Sequence, residues 1–177
     1  RLFFKTLSSL QGKARRHAFF AVRKAQKPIG DPTMGHPLLS TLAKDKTVAV
    51  VGAGLMGSGI AFVLLQAGFQ VVLIDLYYES LNRGVAFLTS TIQSYVKRGK
   101  MSVSKASRLQ KALKPTQKME DLRACCLVVE AIIEDLKIKK TIFSSLDKIV
   151  PPDCILLSNT STLNIDEMAH ALSPSRR

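Results

Sequence analysis

The sequence has no tryptophan, only three cysteines and only three histidines in 177 residues. Three cysteines cannot form a disulfide framework, and the chain has no C-x-x-C motif and no Cys/His cluster with the spacing of a zinc site. The adjacent Cys125 and Cys126 lie in an apolar stretch, which is typical of buried thiols in a reducing compartment. No apolar run approaches the roughly 18–20 residues that span a bilayer, so the sequence predicts no transmembrane segment.

Acidic residues are also scarce, since 13 Asp and Glu stand against 26 Lys and Arg, for a formal net charge of +13. The excess lies in two segments: residues 1–30 hold eight basic residues and no acid, and residues 76–119 hold nine basic residues and one acid. Basic segments of this kind meet nucleic acid, anionic membranes or phosphorylated small molecules. No aromatic residue interleaves with the cations of residues 97–118, and no nucleic-acid motif is present, so no nucleic-acid partner is predicted.

The chain divides into three parts by composition. Residues 1–27 form a basic arm with helical stretches, and residues 28–44 form a linker in which Pro and Gly crowd together and end any helix. Residues 45–177 alternate short apolar runs with helical patterns, which is typical of an α/β domain with a doubly wound parallel sheet. The predicted strands are 47–51, 71–74, 126–129 and 154–157. The predicted helices are 60–67, 79–98, 102–113, 137–150 and 165–172, and the second and third of these form an inserted helical hairpin.

A glycine-rich turn follows the first predicted strand and opens the first helix of the domain. Its sequence is Gly52-Ala53-Gly54-Leu55-Met56-Gly57, and the next strand ends in Asp75. In a strand–turn–helix–strand unit, the first glycine allows a tight turn, the second lets a pyrophosphate approach the backbone and the third lets helix and strand pack closely. The carboxylate of Asp75 is placed to bind ribose hydroxyls. The motif therefore predicts a Rossmann-type dinucleotide site.

NAD is the predicted cofactor, because Leu76, Tyr77 and Tyr78 offer no cation for the 2′-phosphate of NADP. FAD is the other ligand that such a turn binds, and a turn that only packs a helix on a strand is the remaining alternative.

Polar residues follow two later strands at the edge where parallel sheets bind ligands. Glu130 ends one strand, and Ser158-Asn-Thr-Ser161 ends another. The hydroxyls and the amide of the second group can hold the nicotinamide half or a substrate oxygen. A strand-to-helix turn with capping hydroxyls is the alternative for Ser158–Ser161. Helix capping is likewise the alternative for Glu134 and Asp135, and a solvated helix face is the alternative for Lys137, Lys139 and Lys140. None of His17, His36 and His170 lies beside a carboxylate in the pattern of a general base.

Three stretches together resemble the NAD-binding domain of L-3-hydroxyacyl-CoA dehydrogenases. They are Val48-Ala-Val-Val-Gly-Ala-Gly-Leu-Met-Gly-Ser-Gly-Ile-Ala61, Val128-Val-Glu-Ala131 and Ser158-Asn-Thr-Ser161, and the resemblance covers about residues 45–175. The upstream stretch His17-Ala-Phe-Phe-Ala-Val-Arg-Lys-Ala25, with the linker, resembles the junction in fused hydratase–dehydrogenase enzymes of fatty-acid β-oxidation, of the peroxisomal bifunctional type.

The resemblance implies specific roles for the matching residues. Gly52 through Gly57 and Asp75 bind NAD, and Glu134 and Lys139 contact its ribose and nicotinamide side. Ser161 lies between substrate, nicotinamide and the catalytic histidine. Thr91 and Arg98 touch coenzyme A, which explains the basic hairpin, because cations bind the phosphates of coenzyme A.

In one respect the chain departs from the family pattern. The family's catalytic histidine and its partner glutamate follow the Ser-Asn-Thr-Ser motif, and we expect this chain to be truncated before both and before the helical C-terminal domain. On that expectation the fragment is inactive by itself, and a homodimer requires the missing domain.

Two other functions stay open: a non-catalytic dinucleotide-binding module, and another NAD-dependent hydroxyacid dehydrogenase. The fused type implies a peroxisomal location. The alternative is the mitochondrial matrix, because residues 1–27, rich in Arg and without acids, are also compatible with a transit peptide.

Overall fold

The computed structural model of the chain describes residues 46–176. The predicted arm at 1–27 and the predicted linker at 28–44 lie outside these residues. All statements on structure below refer to the described part of the chain.

Five parallel strands form one sheet in the order β3-β2-β1-β4-β5. The register aligns Val50 with Leu73 of β2 on one side and with Val129 of β4 on the other. Side chains of β1 are buried on both faces, as expected for a parallel strand covered by helices. The strands are β1 (Thr47–Val51), β2 (Gln70–Ile74), β3 (Leu113–Thr116), β4 (Leu127–Glu130) and β5 (Ile155–Ser158).

Helices connect the strands, and local sequence signals mark their ends. The helices are α1 (Leu55–Ala67), α2 (Tyr78–Lys97), α3 (Val103–Lys111), α4 (Leu136–Ile149) and α5 (Ile165–Ala169), with 3₁₀ turns at Met119–Leu122 and Pro174–Arg176. Gly68, at φ 100°, ends α1 in the left-handed conformation. Ser102 caps α3 by accepting a hydrogen bond from the Lys105 N–H. Within residues 46–176, no helix combines the length and apolarity needed to cross a membrane.

The predicted doubly wound parallel sheet is confirmed, and so is the inserted hairpin of α2 and α3 between β2 and β3. The apolar stripe of α2 is buried at Leu81, Leu88 and Ile92, whereas Val85 and Val96 are half-buried. Gly84 on the same helix has a particular role, because a Cβ there would lie 2.7 Å from the carbonyl oxygen of Ala53. The missing side chain lets α2 pack directly on the glycine turn.

The third strand was not predicted. The sequence pattern extended the second hairpin helix to residue 113, with Pro115 as its stop, but α3 ends at Lys111 and residues 113–116 form β3. Pro115 fits there because β3 is an edge strand that pairs only with β2. Proline lacks an N–H for a ladder bond, and an edge strand needs such bonds on one side only.

The last turn of the described chain is held on the body of the domain by a polar cluster, the C-terminal clamp of Asp147, Ser173 and Arg176. The Arg176 guanidinium donates to Asp147 Oδ1 at 2.8 Å and to the carbonyl oxygens of Val150, Cys154 and Pro151. Ser173 donates its N–H to Asp147 Oδ2 at 2.9 Å. These bonds tie residues 173–176 to the end of α4 and the start of β5.

Candidate functional site

A cavity of about 570 Å³ opens at the carboxyl edge of the sheet. Most of its lining residues end or follow β1, β2 and β4, and two others are Met119, after β3, and Asn159, at the end of β5. The chain leaves β1 for β2 on one side and later returns to β4 on the other side. Such a reversal separates the flanking loops and leaves a crevice, which is where open α/β sheets bind ligands.

Two glycines of the turn are required by its geometry. Gly52 has φ 105°, and a Cβ on it would lie 2.6 Å from the carbonyl oxygen of Ala131. A Cβ on Gly57 would lie 1.8 Å from the carbonyl oxygen of Gly52 and 3.4 Å from a Val50 methyl group. A side chain at either position would therefore push α1 away from β1 and β4.

Gly54 differs, because a Cβ on it would meet no protein atom within 4 Å. It lines the cavity and is the N-cap of α1, which has no side-chain cap and no acid in its first turn. Within residues 46–176, the N–H groups of Gly54, Leu55 and Met56 have no hydrogen-bond partner. Free amides at the positive end of a helix bind anionic groups. The space next to Gly54 therefore fits a phosphate group.

Asp75 is held beside this turn by backbone hydrogen bonds. Its Oδ2 accepts from the Ala53 N–H at 2.9 Å, and its Oδ1 accepts from the Tyr77 N–H at 3.0 Å. Asp75 lines the cavity one strand away from the glycine turn. Its carboxylate is therefore positioned to accept hydrogen bonds from a sugar next to a bound phosphate.

Apolar side chains form much of the remaining wall and suit a flat heterocycle. Five of them are exposed: Leu55, Met56, Leu76, Ile133 and Ile138. Ile138 lies in the first turn of α4, beside the cavity. The apolar wall consists of Val51, Leu55, Met56, Ile74, Leu76, Met119, Ile132, Ile133, Ile138 and Ile142.

A buried ion pair stands behind the opposite end of the cavity. Glu130 and Lys139 both have fully buried side chains, and Lys139 Nζ lies 2.6 Å from Glu130 Oε1. Glu130 Oε1 also accepts from the Ile132 N–H at 2.8 Å, and its Oε2 accepts from the Ser158 hydroxyl at 2.5 Å. Every polar atom of the Glu130 carboxylate is thus used inside the protein. Glu130 lies at the strand end where the sequence placed it, and its carboxylate points inward, away from the cavity.

Glu134 lines the cavity and joins the buried pair to the loop after β5. Its Oε2 lies 3.4 Å from Lys139 Nζ. Its Oε1 accepts from the hydroxyls of Thr160 and Thr162 and from the Ser161 N–H. The Thr160 hydroxyl lowers the pKa of Glu134 below its usual value, and this effect together with Lys139 outweighs partial burial. The carboxylate is therefore charged at neutral pH.

These contacts decide whether Glu134 and Asp135 are helix caps and whether Lys139 lies on a solvated helix face. Asp135 is the N-cap of α4 and accepts from the Ile138 N–H at 3.0 Å, whereas Glu134 faces the loop and the cavity. The solvated-face alternative is wrong for Lys139, which is fully buried. Because Lys139 does not line the cavity, its direct contact with a cofactor stays a prediction.

The Ser158–Ser161 segment presents different groups to different sides. Ser158 points inward to Glu130, and Asn159 lines the cavity and donates its N–H to the Glu130 carbonyl oxygen at 2.7 Å. Ser161 is exposed, and its hydroxyl has no partner within residues 46–176. Its hydroxyl is therefore free to meet a ligand.

The predicted coenzyme A contacts are Thr91, on α2, and Arg98, the residue that ends this helix. They lie seven residues apart, which places them on one face of the helix. Thr91 is half-buried and Arg98 is exposed. The predicted basic tip of the hairpin is present, since Lys97 and Lys100 flank Arg98 and are exposed as well.

The sequence pattern missed two features of the site. One is the buried Glu130–Lys139 pair, because a lysine between two other lysines on an amphipathic helix is typical of a solvated face. The other is the contact of Gly84 with the turn, for which a glycine within an apolar helical stripe was the available signal. In the described chain, no group of three or more His, Cys, Asp or Glu side chains is placed to hold a metal ion.

Residues 47–177 match the family described as "3-hydroxyacyl-CoA dehydrogenase, NAD binding domain". The chain is 37% identical over 166 residues to a peroxisomal fatty acid beta-oxidation multifunctional protein of Oryza sativa subsp. japonica, covering 94% of this chain and 22% of that protein. It is 38% identical over 132 residues to 3-hydroxyadipyl-CoA dehydrogenase of Escherichia coli, covering 75% of this chain and 28% of the other.

Among solved structures, 3-hydroxybutyryl-CoA dehydrogenase from Escherichia coli superposes with a TM-score of 0.72 at 37% identity, covering 75% of this chain and 28% of that chain. The dehydrogenase part of multifunctional enzyme 1 from C. elegans superposes with a TM-score of 0.66 at 28% identity, covering 75% of this chain and 30% of that chain. The chain thus spans between a fifth and a third of the length of these relatives.

Proposed function

The chain belongs to the NAD-binding domain family of 3-hydroxyacyl-CoA dehydrogenases, and from this membership we propose that it is the cofactor-binding part of an enzyme of fatty-acid β-oxidation. The reaction is the transfer of a hydride from (S)-3-hydroxyacyl-CoA to NAD⁺. The names of the similar proteins support the substrate class, because they include a beta-oxidation multifunctional protein and a 3-hydroxyadipyl-CoA dehydrogenase.

The observation that carries the proposal is the open space at Gly54. Three unpartnered N–H groups, the positive end of α1 and the fixed carboxylate of Asp75 surround one end of a cavity large enough for a nucleotide. These groups match the diphosphate and the adenosine ribose of a dinucleotide in charge and in hydrogen-bonding type. The residues present therefore fit NAD.

Different residues along the cavity then bind different parts of the dinucleotide. The amides of Leu55 and Met56 bind the diphosphate, Asp75 binds the adenosine ribose, and the apolar wall holds the adenine ring. Glu134 and Asn159, which line the cavity on the other side of β1, would meet the other half of the dinucleotide. When bound, the nicotinamide supplies the hydride acceptor of the reaction.

Substrate contacts follow from the exposed polar groups nearby. Ser161, with a free hydroxyl at the edge of the site, donates a hydrogen bond to the substrate oxygen and orients it. Glu134 holds the nicotinamide side, and the buried Lys139, 3.4 Å from Glu134, positions its carboxylate. Thr91 and Arg98 contact coenzyme A, whose phosphates a guanidinium binds.

The cellular setting is part of the same proposal. The match to the rice protein is longer than the 47–177 family domain, so it extends into the upstream residues. This extent supports a fused hydratase–dehydrogenase parent, in which residues 1–27 are an inter-domain arm, residues 28–44 a linker and residues 45–177 the NAD-binding domain.

A peroxisomal location accords with the names of the plant relatives; the mitochondrial matrix is the alternative. A homodimer, if formed, uses the parent's C-terminal domain. Imaging of the tagged parent protein and its mass in solution test location and assembly.

Calorimetry of the 177-residue chain with NAD⁺ tests the cofactor role. Gly54→Ala adds a methyl group where the protein leaves room, so we expect unchanged folding and an NAD⁺ affinity lower by about tenfold or more, because the methyl group takes the space of a phosphate oxygen. Asp75→Ala should also weaken NAD⁺, through loss of a charge-assisted hydrogen bond to the ribose.

Gly59→Ala is the matched control. A Cβ on Gly59 also meets nothing within 4 Å, but this residue lies one turn further into α1 and does not line the cavity. The proposal fails if the unmodified chain binds no NAD⁺, or if Gly54→Ala and Gly59→Ala bind it equally well.

A further inference from the structure

The charges at the Glu134 end of the cavity do not cancel. Lys139 is the only cation within 4.0 Å of either glutamate in the described chain, and it serves two carboxylates. It lies 2.6 Å from Glu130 and 3.4 Å from Glu134. One positive and two negative charges leave the three-residue cluster with a net charge of −1.

The excess charge resides on Glu134. Glu130 and Lys139 are both fully buried and form the shorter contact, so they neutralise each other inside the protein. The Glu134 side chain is 40% exposed and lines the cavity. Its other partners are the neutral hydroxyls of Thr160 and Thr162 and one backbone N–H, which orient the carboxylate without adding a positive charge.

Neighbouring charges on α4 and α5 leave this excess in place. Asp135 is negative and is used as the cap of α4. Lys140 pairs with Glu167 at 2.8 Å. Lys137 is exposed on α4 and is not within ion-pair distance of Glu134. The positive end of α4 is already met by the Asp135 cap.

The location of Glu134 matters because only one half of the cofactor changes charge. The glycine turn and Asp75 take the diphosphate and the adenosine, which leaves Glu134, across β1, to the nicotinamide half. The nicotinamide ring carries a positive charge when oxidised and is neutral after it accepts a hydride. A fixed negative charge there interacts differently with the two forms.

We propose that Glu134 is a specificity-determining residue: its negative charge makes the site discriminate between the oxidised and the reduced cofactor. The charges of Glu130 and Lys139 cancel each other in the protein interior beside it. This inference rests on the proposed function. The net charge of −1 favours the cationic, oxidised nicotinamide over the neutral, reduced one. This contribution favours release of NADH after hydride transfer and makes the bound NAD⁺ a weaker oxidant than it would be without the charge of Glu134.

Calorimetry of the full 177-residue chain with NAD⁺, NADH and ADP-ribose tests the proposal. Glu134→Gln keeps the size and the hydrogen-bond acceptor but removes the charge. We expect NAD⁺ binding to weaken by about threefold to tenfold, as for a unit charge several ångströms away in a half-exposed site. NADH and ADP-ribose binding should change less than about twofold, because neither ligand carries a positive ring.

Glu79→Gln is the matched control. It removes the same charge from the start of α2, at the adenosine end, where NAD⁺ and NADH are identical. Its effect on the two ligands should therefore be equal. If Glu134→Gln weakens NAD⁺ and NADH by the same factor, Glu134 acts only as a hydrogen-bonding group and the proposal is overturned. It is overturned as well if neither affinity changes.

Two further outcomes keep this test separate from that of the proposed function. If the unmodified chain binds none of the three ligands, the proposed function itself fails. If Glu134→Gln does not fold, Glu134→Ser is measured with the same three ligands. A ratio of NAD⁺ to NADH affinity equal to that of the unmodified chain then overturns the proposal.

Discussion

Replacing Lys139 by methionine should destabilise the domain strongly, although the residue lies on an otherwise ordinary amphipathic helix. Methionine has a similar length, but it leaves Glu130 fully buried without its cation. Removing one partner of a buried ion pair typically costs about 3–5 kcal/mol. Glu130 keeps the Ile132 N–H and the Ser158 hydroxyl as donors, so we expect the lower part of this range, or a melting temperature lower by roughly 10 °C.

Thermal unfolding of a small set of variants measures this cost. Lys140→Met is the matched control, because Lys140 is the next residue on α4 and its ion pair with Glu167 is largely exposed. Its melting temperature should remain close to that of the unmodified chain. In the double variant Lys139→Met/Glu130→Gln, the buried charge is absent, so about 1–3 kcal/mol should be recovered relative to Lys139→Met alone.

Two results would refute this reasoning. One is a Lys139→Met variant with the same melting temperature as the Lys140→Met control. That result would mean that Glu130 becomes solvated or protonated without a cost in stability. The other is a double variant no more stable than Lys139→Met, which would mean that lost packing and not the unpaired charge causes the instability.

Three other predictions concern the turn, the thiols and the C-terminal clamp. Gly57→Ala should unfold the domain or abolish NAD⁺ binding, because its Cβ would lie 1.8 Å from a backbone oxygen; circular dichroism and calorimetry check this, and a stable, binding variant would contradict it. Burial raises the pKa of the Cys125 thiol to about 11 and that of Cys154 to about 12. Iodoacetamide at mildly alkaline pH should therefore label only the half-buried Cys126 in the native chain and all three thiols after unfolding, as counted by mass spectrometry. Burial tends to raise the pKa of Asp147, but the hydrogen bonds of the clamp outweigh this effect and hold the pKa below its ordinary 3.8. The clamp therefore contributes its full stability above that pH and loses it as the pH falls further. Melting curves of Asp147→Asn should show a lower midpoint at neutral pH and a smaller acid-side loss than the unmodified chain; parallel acid curves would count against the clamp.

Much of the architecture was predictable because it depends on local patterns. The apolar runs at β1, β2, β4 and β5, the capping residue Ser102 and the terminating Gly68 each act over a few residues. Buried parallel strands require continuous apolar side chains on both faces, so their positions are visible without knowledge of their neighbours. The glycine turn and Asp75 belong to the same class, since a single strand–turn–helix–strand unit contains them.

Other features arose only from packing between distant parts of the chain. The strand β3 forms because β2 offers it a ladder, and its own sequence, with Pro115, carries no strand pattern. The buried state of Lys139 depends on Glu130, which the fold brings to the same place from the end of another element. The orientation of Glu134 likewise depends on hydroxyls 26 and 28 residues away in the chain.

The amino-acid sequence by itself thus determined the α/β class, the glycine turn and the position of Asp75 directly after β2, because short-range sterics and solvation control all three. Tertiary structure decided which charges are neutralised and which remain at the cavity. A charge is neutralised by the partners that lie within a few ångströms, and those partners are brought together only when the strands assemble into the sheet.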